Sequence, residues 1–451
     1  MKKKITIILL AAALVIASAG CANNTASNAD SSSQQTSTTD SSSGTSEETS
    51  KTEDESESES KNEDSTEDSK DLEENYTKYT LDGELTQHMI DMSRLNEGNK
   101  VRVANVIKKM KNGEEVTVGY IGGSITQGTS AGNELCYARL TTNYLEEMYP
   151  DAKINYVNAG IGATGSYIGV HRVTNDLLSH SPDLVFVEFS VNDTTEFTER
   201  NKESYDSLLR TIWNSSKNPA IITVATTQED GTSFQEQHAE IVKHYDLPMI
   251  SYRNTILDTI EHGDITWKDI SGDNIHPNVP GHKIVAQLLK AYIADVDANL
   301  DSISGEESDF STPATKAGFE NGTLLSPTTE GIDVTATGSF RQMENQFGGF
   351  NGFWLCKGTD LSDSALTFKV NAKNIGLLFG KYTSNGCSAE IYVDDELVST
   401  VSADFTGGWG NYVECVHLKS FDTAGDHIVK IVPKGSADSG NVFSVTALTI
   451  S

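Results

Sequence analysis

VTVGYIGGSITQG, residues 116–128, places a short β-type run, Val116–Ile121, directly before a Gly-Gly-Ser turn. An amphipathic helical pattern, Tyr137–Tyr149, follows, and then a second strand, Ile154–Val157. Beyond a helical stretch near Ile168–Leu178, Leu184–Phe189 (LVFVEF) is nearly all apolar, as expected for a strand covered on both faces of a parallel sheet. Ile221–Ala225 repeats that pattern. The amphipathic run Phe234–Tyr245 leads to Pro248–Ser251, and a last helix is predicted from about Pro280 to Ala298. Strands alternating with helices predict a three-layer α/β/α domain, with its site in the loops at the carboxyl ends of the strands.

Four of those loops carry polar residues of a particular kind. Gly122-Gly123-Ser124-Ile125-Thr126-Gln127-Gly128 follows the first strand, and Asn158-Ala159-Gly160-Ile161-Gly162-Ala163-Thr164-Gly165 follows the second. Val191-Asn192-Asp193 follows the third, and Asp273-Asn274-Ile275-His276-Pro277-Asn278 precedes the final helix. Each alone reads equally well as a turn or a helix cap. Together they supply a serine hydroxyl, backbone donors, a side-chain amide and an Asp/His pair, the set that acyl transfer through serine requires.

These blocks resemble those of the SGNH, or GDSL-type, hydrolase superfamily over about residues 96–300, with GGSITQG, SVND and DNIHPN standing for blocks one, three and five. The resemblance implies a flavodoxin-like α/β/α fold, with Ser124 as nucleophile, His276 as base and Asp273 as its orienting carboxylate. It also implies an oxyanion hole from the Ser124 amide, a block-two amide at Gly162 or Ala163, and the Asn192 side chain. Gly123 departs from the family's Asp. The residue chemistry agrees: a serine hydroxyl near pH 7 needs a base, and an imidazole takes its proton while a carboxylate holds the other ring N–H. Asp273 and His276, three apart before a helix, can share one side of a turn. His171, His238 and His282 read as helix-surface or packing residues, Glu188 as a buried polar partner, and Trp267 as pocket wall or core. No His/Asp cluster has metal-ligand spacing and no Gly-rich run resembles a phosphate loop, so neither a metal nor a cofactor is expected.

The amino terminus, MKKKITIILLAAALVIASAGC, has a basic start at Lys2–Lys4, an apolar run too short for a comfortable membrane span, and small residues before Cys21. It resembles a bacterial lipoprotein signal (residues 1–21) with Cys21 lipidated, which implies an extracytoplasmic protein anchored to the cell membrane. Residues 22–75 hold 16 acidic residues against Lys51, Lys61 and Lys70 and almost nothing apolar, so a disordered tether is expected. With 34 basic against 65 acidic residues, the whole chain carries a formal charge of −31, which argues against a nucleic-acid partner.

The first folded domain is expected over residues 76–300 and a polar linker over 301–314. Over 315–451 short alternating runs separated by turn residues predict an all-β sandwich, with a loose likeness to jelly-roll modules of carbohydrate esterases. Its aromatic residues Phe353, Trp354, Tyr382, Trp409 and Tyr412 suit either sugar stacking or core packing. Three cysteines there, Cys356, Cys387 and Cys415, allow at most one internal disulfide. The expected function is hydrolysis of short acyl, chiefly O-acetyl, esters on carbohydrate. The alternatives are a non-catalytic, glycan-binding surface lipoprotein and a lysophospholipase- or lipase-type acyl hydrolase.

Overall fold

The computed structural model describes residues 76–194, 197–407, 410–435 and 440–451. The signal, Cys21, the acidic tether and Trp409 lie outside them. The α/β part runs α1 (Gln87–Ser93), β1 (Arg94–Asn96), α2 (Val101–Lys111), β2 (Glu115–Gly122), α3 (Ser124–Gln127), α4 (Tyr137–Met148), β3 (Lys153–Gly160), α5 (Ser166–Asp176), β4 (Leu184–Glu188), α6 (Thr198–Trp213), β5 (Ala220–Ala225), α7 (Gln235–His244), β6 (Met249–Ser251), α8 (Tyr252–Glu261), α9 (Trp267–Ile270) and α10 (Val279–Ala298). Its sheet has the order β1-β6-β5-β4-β2-β3, parallel except for the edge strand β1. The five parallel strands have the flavodoxin-like order, so the crevice that such sheets use for ligands opens at the carboxyl end of β2, where the strand order reverses.

The apolar runs of the strands feed two cores. Val118, Tyr120, Leu184 and Phe186 face α2, α4 and α10, whereas Ile121, Val185 and Val187 face α5, α6 and α7. Burial on both faces explains why LVFVEF shows no polar alternation. The second core does not end at the helices. It continues through Phe310 and Phe319 into Phe350, Leu378, Val413 and Ala447 of the β domain.

Residues 301–314 are therefore fastened down rather than free. Phe310 stacks on Tyr245 (centroids 3.9 Å apart) and on Trp213 (4.4 Å), and Arg210 Nη1 donates to its carbonyl at 2.6 Å. Polar composition does not reveal this, because one aromatic anchor is enough to seat the strap.

The β domain holds β7 (Thr323–Leu325), β8 (Asp333–Ala336), β9 (Phe340–Phe347), β10 (Phe350–Gly358), β11 (Leu366–Lys381), β12 (Ser388–Val393), β13 (Glu396–Ser402), β14 (Tyr412–Lys434) and β15 (Asn441–Ile450). All are antiparallel in one sheet of order β13-β12-β14-β11-β15-β10-β9, with β7 on β15 and β8 on β11. The leaves of the expected sandwich are thus continuous through two long strands. Ala365–Val370 and Ile375–Phe379 are one strand, and Thr423–Asp426 is not a turn: Asp426 pairs with Asn371 and Gly425 with Ala372, the surplus residues 421–424 bulging out before Ser420 pairs with Asn374. Among the described residues Cys136, Cys356, Cys387 and Cys415 are all free thiols.

Candidate active site

Strand register brings the loops together. Gly122 pairs with Gly160 on one side and Glu188 on the other, so the residues just beyond β2, β3 and β4 emerge side by side. Ser124 opens the short helix α3, which is clamped from β3: Asn158 Nδ2 donates to the Thr126 carbonyl (2.8 Å), and its Oδ1 accepts from the Gly160 amide (2.9 Å). Arg172, wholly buried, donates to the carbonyls of Gly122 (3.0 Å) and Ala159 (2.6 Å), tying the ends of β2 and β3 together. Sequence reading missed both residues. An arginine inside the apolar face of α5 was the available signal for one of them.

The segment before α10 forms a hydrogen-bonded turn around a carboxylate. Asp273 Oδ1 accepts from the amides of Ile275 (2.8 Å) and His276 (2.6 Å), and Oδ2 lies 2.9 Å from His276 Nδ1. His276 Nε2 lies 2.9 Å from Ser124 Oγ. Trp267 Nε1 donates to the Asp273 carbonyl (2.6 Å), so this residue packs in the core and also anchors the turn. Burial pushes the Asp273 carboxyl upward, but the hydrogen bonds from His276 and Ile275 outweigh it and hold the group below the ordinary aspartate value.

Asn192 lies directly against the backbone before Ser124. A Cβ on Gly123 would fall 1.9 Å from Asn192 Oδ1, a distance no side chain tolerates. Gly123 therefore leaves room for the Asn192 amide in its present place. The Asn192 side chain makes no hydrogen bond among the described residues. The Ser124 amide, first in α3, has no partner within its helix.

In block two, a Cβ on Gly162 would lie 3.7 Å from Ser124 Cβ, and the Gly162 amide donates to the exposed Gln127 Oε1 at 2.9 Å. Ala163 turns the chain through a left-handed φ of 58°. Of the two expected block-two residues, Gly162 is thus the neighbour of Ser124.

Behind Asn192 stands a fully buried pair: His238 Nε2 and Asp193 Oδ2 are 2.9 Å apart, the imidazole stacks on Tyr205, and Asp193 Oδ1 accepts from the Ser166 amide at the start of α5. Glu188 Oε1 accepts from Ser190 Oγ (2.9 Å) and Thr226 Oγ1 (2.8 Å) in the same layer, while burial raises its pKa. His171 and His282 are also buried, and burial pushes each down to about 4. His171, His238 and His282 are thus interior packing residues, and none lies on a helix surface.

The β domain reaches this site. A cleft of 160 Å³ runs between Ala163, Asn192 and Arg200 on one side and Tyr412 and Glu414 on the other. Of the expected sugar-stacking aromatics, Phe353 and Trp354 are core, Tyr382 bonds Ser444 Oγ, and Tyr412 lines this cleft.

A family model for the GDSL-like lipase/acylhydrolase family matches residues 120–284. The chain belongs to that family and is an SGNH-type esterase. Two crystal structures of a two-domain esterase (CEX) active on acetylated mannans are similar across both domains. One is 30% identical over 80% of this chain and 98% of that chain, with a TM-score of 0.74. The other, co-crystallized with mannopentaose, is 29% identical over 80% of this chain and 97% of that chain, with a TM-score of 0.73. No curated protein sequence matches.

Proposed function

We propose that this chain is an exported, membrane-anchored esterase that removes O-acetyl groups from a polysaccharide through an acyl-enzyme on Ser124. One observation carries the reading: the unbroken Asp273–His276–Ser124 relay, two contacts of 2.9 Å, set beside Asn192. As Ser124 Oγ attacks the acetyl carbonyl carbon, its proton passes to His276 Nε2, whose Nδ1–H is held by the anionic Asp273. The carbonyl oxygen becomes an oxyanion that takes hydrogen bonds from the Ser124 and Gly162 amides and Asn192 Nδ2, the exposed Gln127 side chain giving up its hold on Gly162. Each such donor is worth about 3 kcal/mol. Collapse breaks the bond to the sugar oxygen, which leaves with the proton from His276. Water, deprotonated by His276 in turn, releases acetate and regenerates Ser124.

A short acyl group suits the surroundings. GGSITQG, NAGIGATG and SVND offer few apolar walls, and each added methylene gains about 0.8 kcal/mol only when such walls bury it. Similarity over both domains to esterases active on acetylated mannans makes mannan the first polymer to test. The intact relay argues against a non-catalytic binding protein. The basic–apolar–small–Cys layout of residues 1–21 supports export and a lipid on Cys21.

Acetate release from acetylated mannan, xylan and other glycans, with Ser124→Ala as blank, tests the activity. A series of p-nitrophenyl esters should peak at acetate, and a maximum at octanoate or longer would move the assignment to a lipid acyl hydrolase. Cys21→Ala should abolish membrane fractionation of the mature protein.

A further inference from the structure

We propose that His88, Asp258 and His262 form a binding site for a divalent transition-metal ion of the zinc class, separate from the esterase site. His88 comes from α1 and Asp258 from α8, 170 residues apart, and His262 follows the end of α8. Asp258 Oδ2 lies 2.7 Å from His88 Nε2 and 3.5 Å from His262 Nδ1, and one ligand atom of each residue falls within 4.8 Å of the others. The two imidazole centroids are 5.7 Å apart. Two imidazoles on one tetrahedral zinc, with Zn–N near 2.05 Å, have centroids about 5 Å apart, so a small rotation of the half-exposed His262 closes the set. Three protein ligands leave the fourth position to water.

Charge favours a cation here. Asp264 adjoins the cluster, its Oδ2 accepting from Tyr76 Oη and the Tyr79 amide at 2.6 Å each. Among the described residues neither Asp258 nor Asp264 pairs with a lysine or arginine; the ion-pair partners of Asp258 are the two histidines. Tyr76 stacks on His262 (4.0 Å, 11°) and meets His88 edge-on (5.0 Å), so both imidazoles lie against one aromatic ring. The ion would cross-link α1 and α8 beneath the segment that leads in from the acidic stretch.

Binding has a cost that sets its strength. His262 Nδ1 gives up the Asp258 carbonyl (2.9 Å), and the His88 proton moves to Nδ1, which is buried without an acceptor. Ligand histidines normally donate that proton to a partner, and losing such a partner weakens affinity by about 10–100-fold. The site should therefore bind zinc more weakly than one whose ligand histidines both donate to a partner. Asp258 in the last turn of α8 and His262 at its cap stand four apart, but His88 joins them only through folding, which is why the sequence alone suggested no metal.

The test uses the full chain and Zn²⁺ alone, with affinity read by competition against a chromophoric chelator and by thermal denaturation with and without EDTA. The expected result is one saturable site per chain and a higher unfolding temperature with zinc. His262→Ala, on a partly exposed residue outside the core, should weaken binding at least about tenfold and abolish the thermal shift, and Asp258→Asn should do the same. Ester hydrolysis should be equal with zinc and with EDTA. Absence of saturable binding, or binding unchanged in a folded His262→Ala protein, overturns the proposal.

Discussion

Asp273 spends both carboxylate oxygens on its own turn and on His276, so its removal loosens orientation while leaving nucleophile and base in place. Ser124→Ala and His276→Ala should each reduce kcat to near background, and Asp273→Ala should cost less; single-turnover assays on one acetyl ester rank them. Asn192→Ala should lower kcat by about 10²–10³-fold with little change in KM. Because a Cβ at position 123 collides with Asn192, Gly123→Ala should produce a kcat loss of the same kind, and the double variant should be little worse than either alone. Additive losses would separate the two positions. Glu188 provides a pH signature. Burial raises its folded pKa above the ordinary 4.5, so the folded state binds the extra proton and stability falls as pH rises above 4.5 through that raised value. Glu188→Gln should remove this part of the decline in unfolding temperature as the pH is raised above 4.5.

The β9–β10 hairpin is the element that joins the β domain to the loop carrying Gly162. Its two-residue turn is Gly348-Gly349, with φ of 56° and 88°, the backbone that suits the twist of a tight hairpin. A Cβ on Gly349 would sit 2.7 Å from Ile161 Cγ2, next to Gly162. Gly349→Ala should cost about 1–2 kcal/mol of stability from the left-handed backbone and also displace the Gly162 amide. The expected readout is a fall in kcat larger than any change in KM. A stability loss with unaltered kcat would show that the hairpin does not position the loop. The turn at 271–278 is tied down differently, by Ser271 Oγ and Trp267 Nε1 on the Asp273 carbonyl and by Asn278 capping α10.

At the scale of the whole molecule, the two domains share one apolar cluster. Tyr167 from α5 reaches Thr449 Oγ1 at 3.0 Å and His417 Nδ1 at 3.3 Å, while Asp206 Oδ2 accepts from the Thr315 amide at 2.7 Å. Removing residues 315–451 would expose Tyr167, Ile161 and the face of α5 that now packs on Phe319 and β15. A chain cut after residue 314 should therefore be aggregation-prone. The intact protein should unfold in a single calorimetric transition covering both domains. Two well-separated transitions would show that the shared cluster couples them weakly.

The parallel sheet and the loops that bring Ser124, Asn192, Asp273 and His276 together were legible in the sequence, because each is written locally: an all-apolar strand, then a loop with glycine and a polar side chain. The strand ends line up by register, so local signals were enough to predict which loops meet. Gly123 as the seat for Asn192, Arg172 binding two strand ends, Gly349 against Ile161, and His88 beside Asp258 depend on contacts between segments far apart in the chain. The continuity of β11 and β14 was hidden for a related reason: Thr423–Asp426 has turn composition, but pairing with Asn371 and Ala372 carries the strand through it. Short-range chemistry set what each loop can do, and only packing decided which neighbours hold it in place.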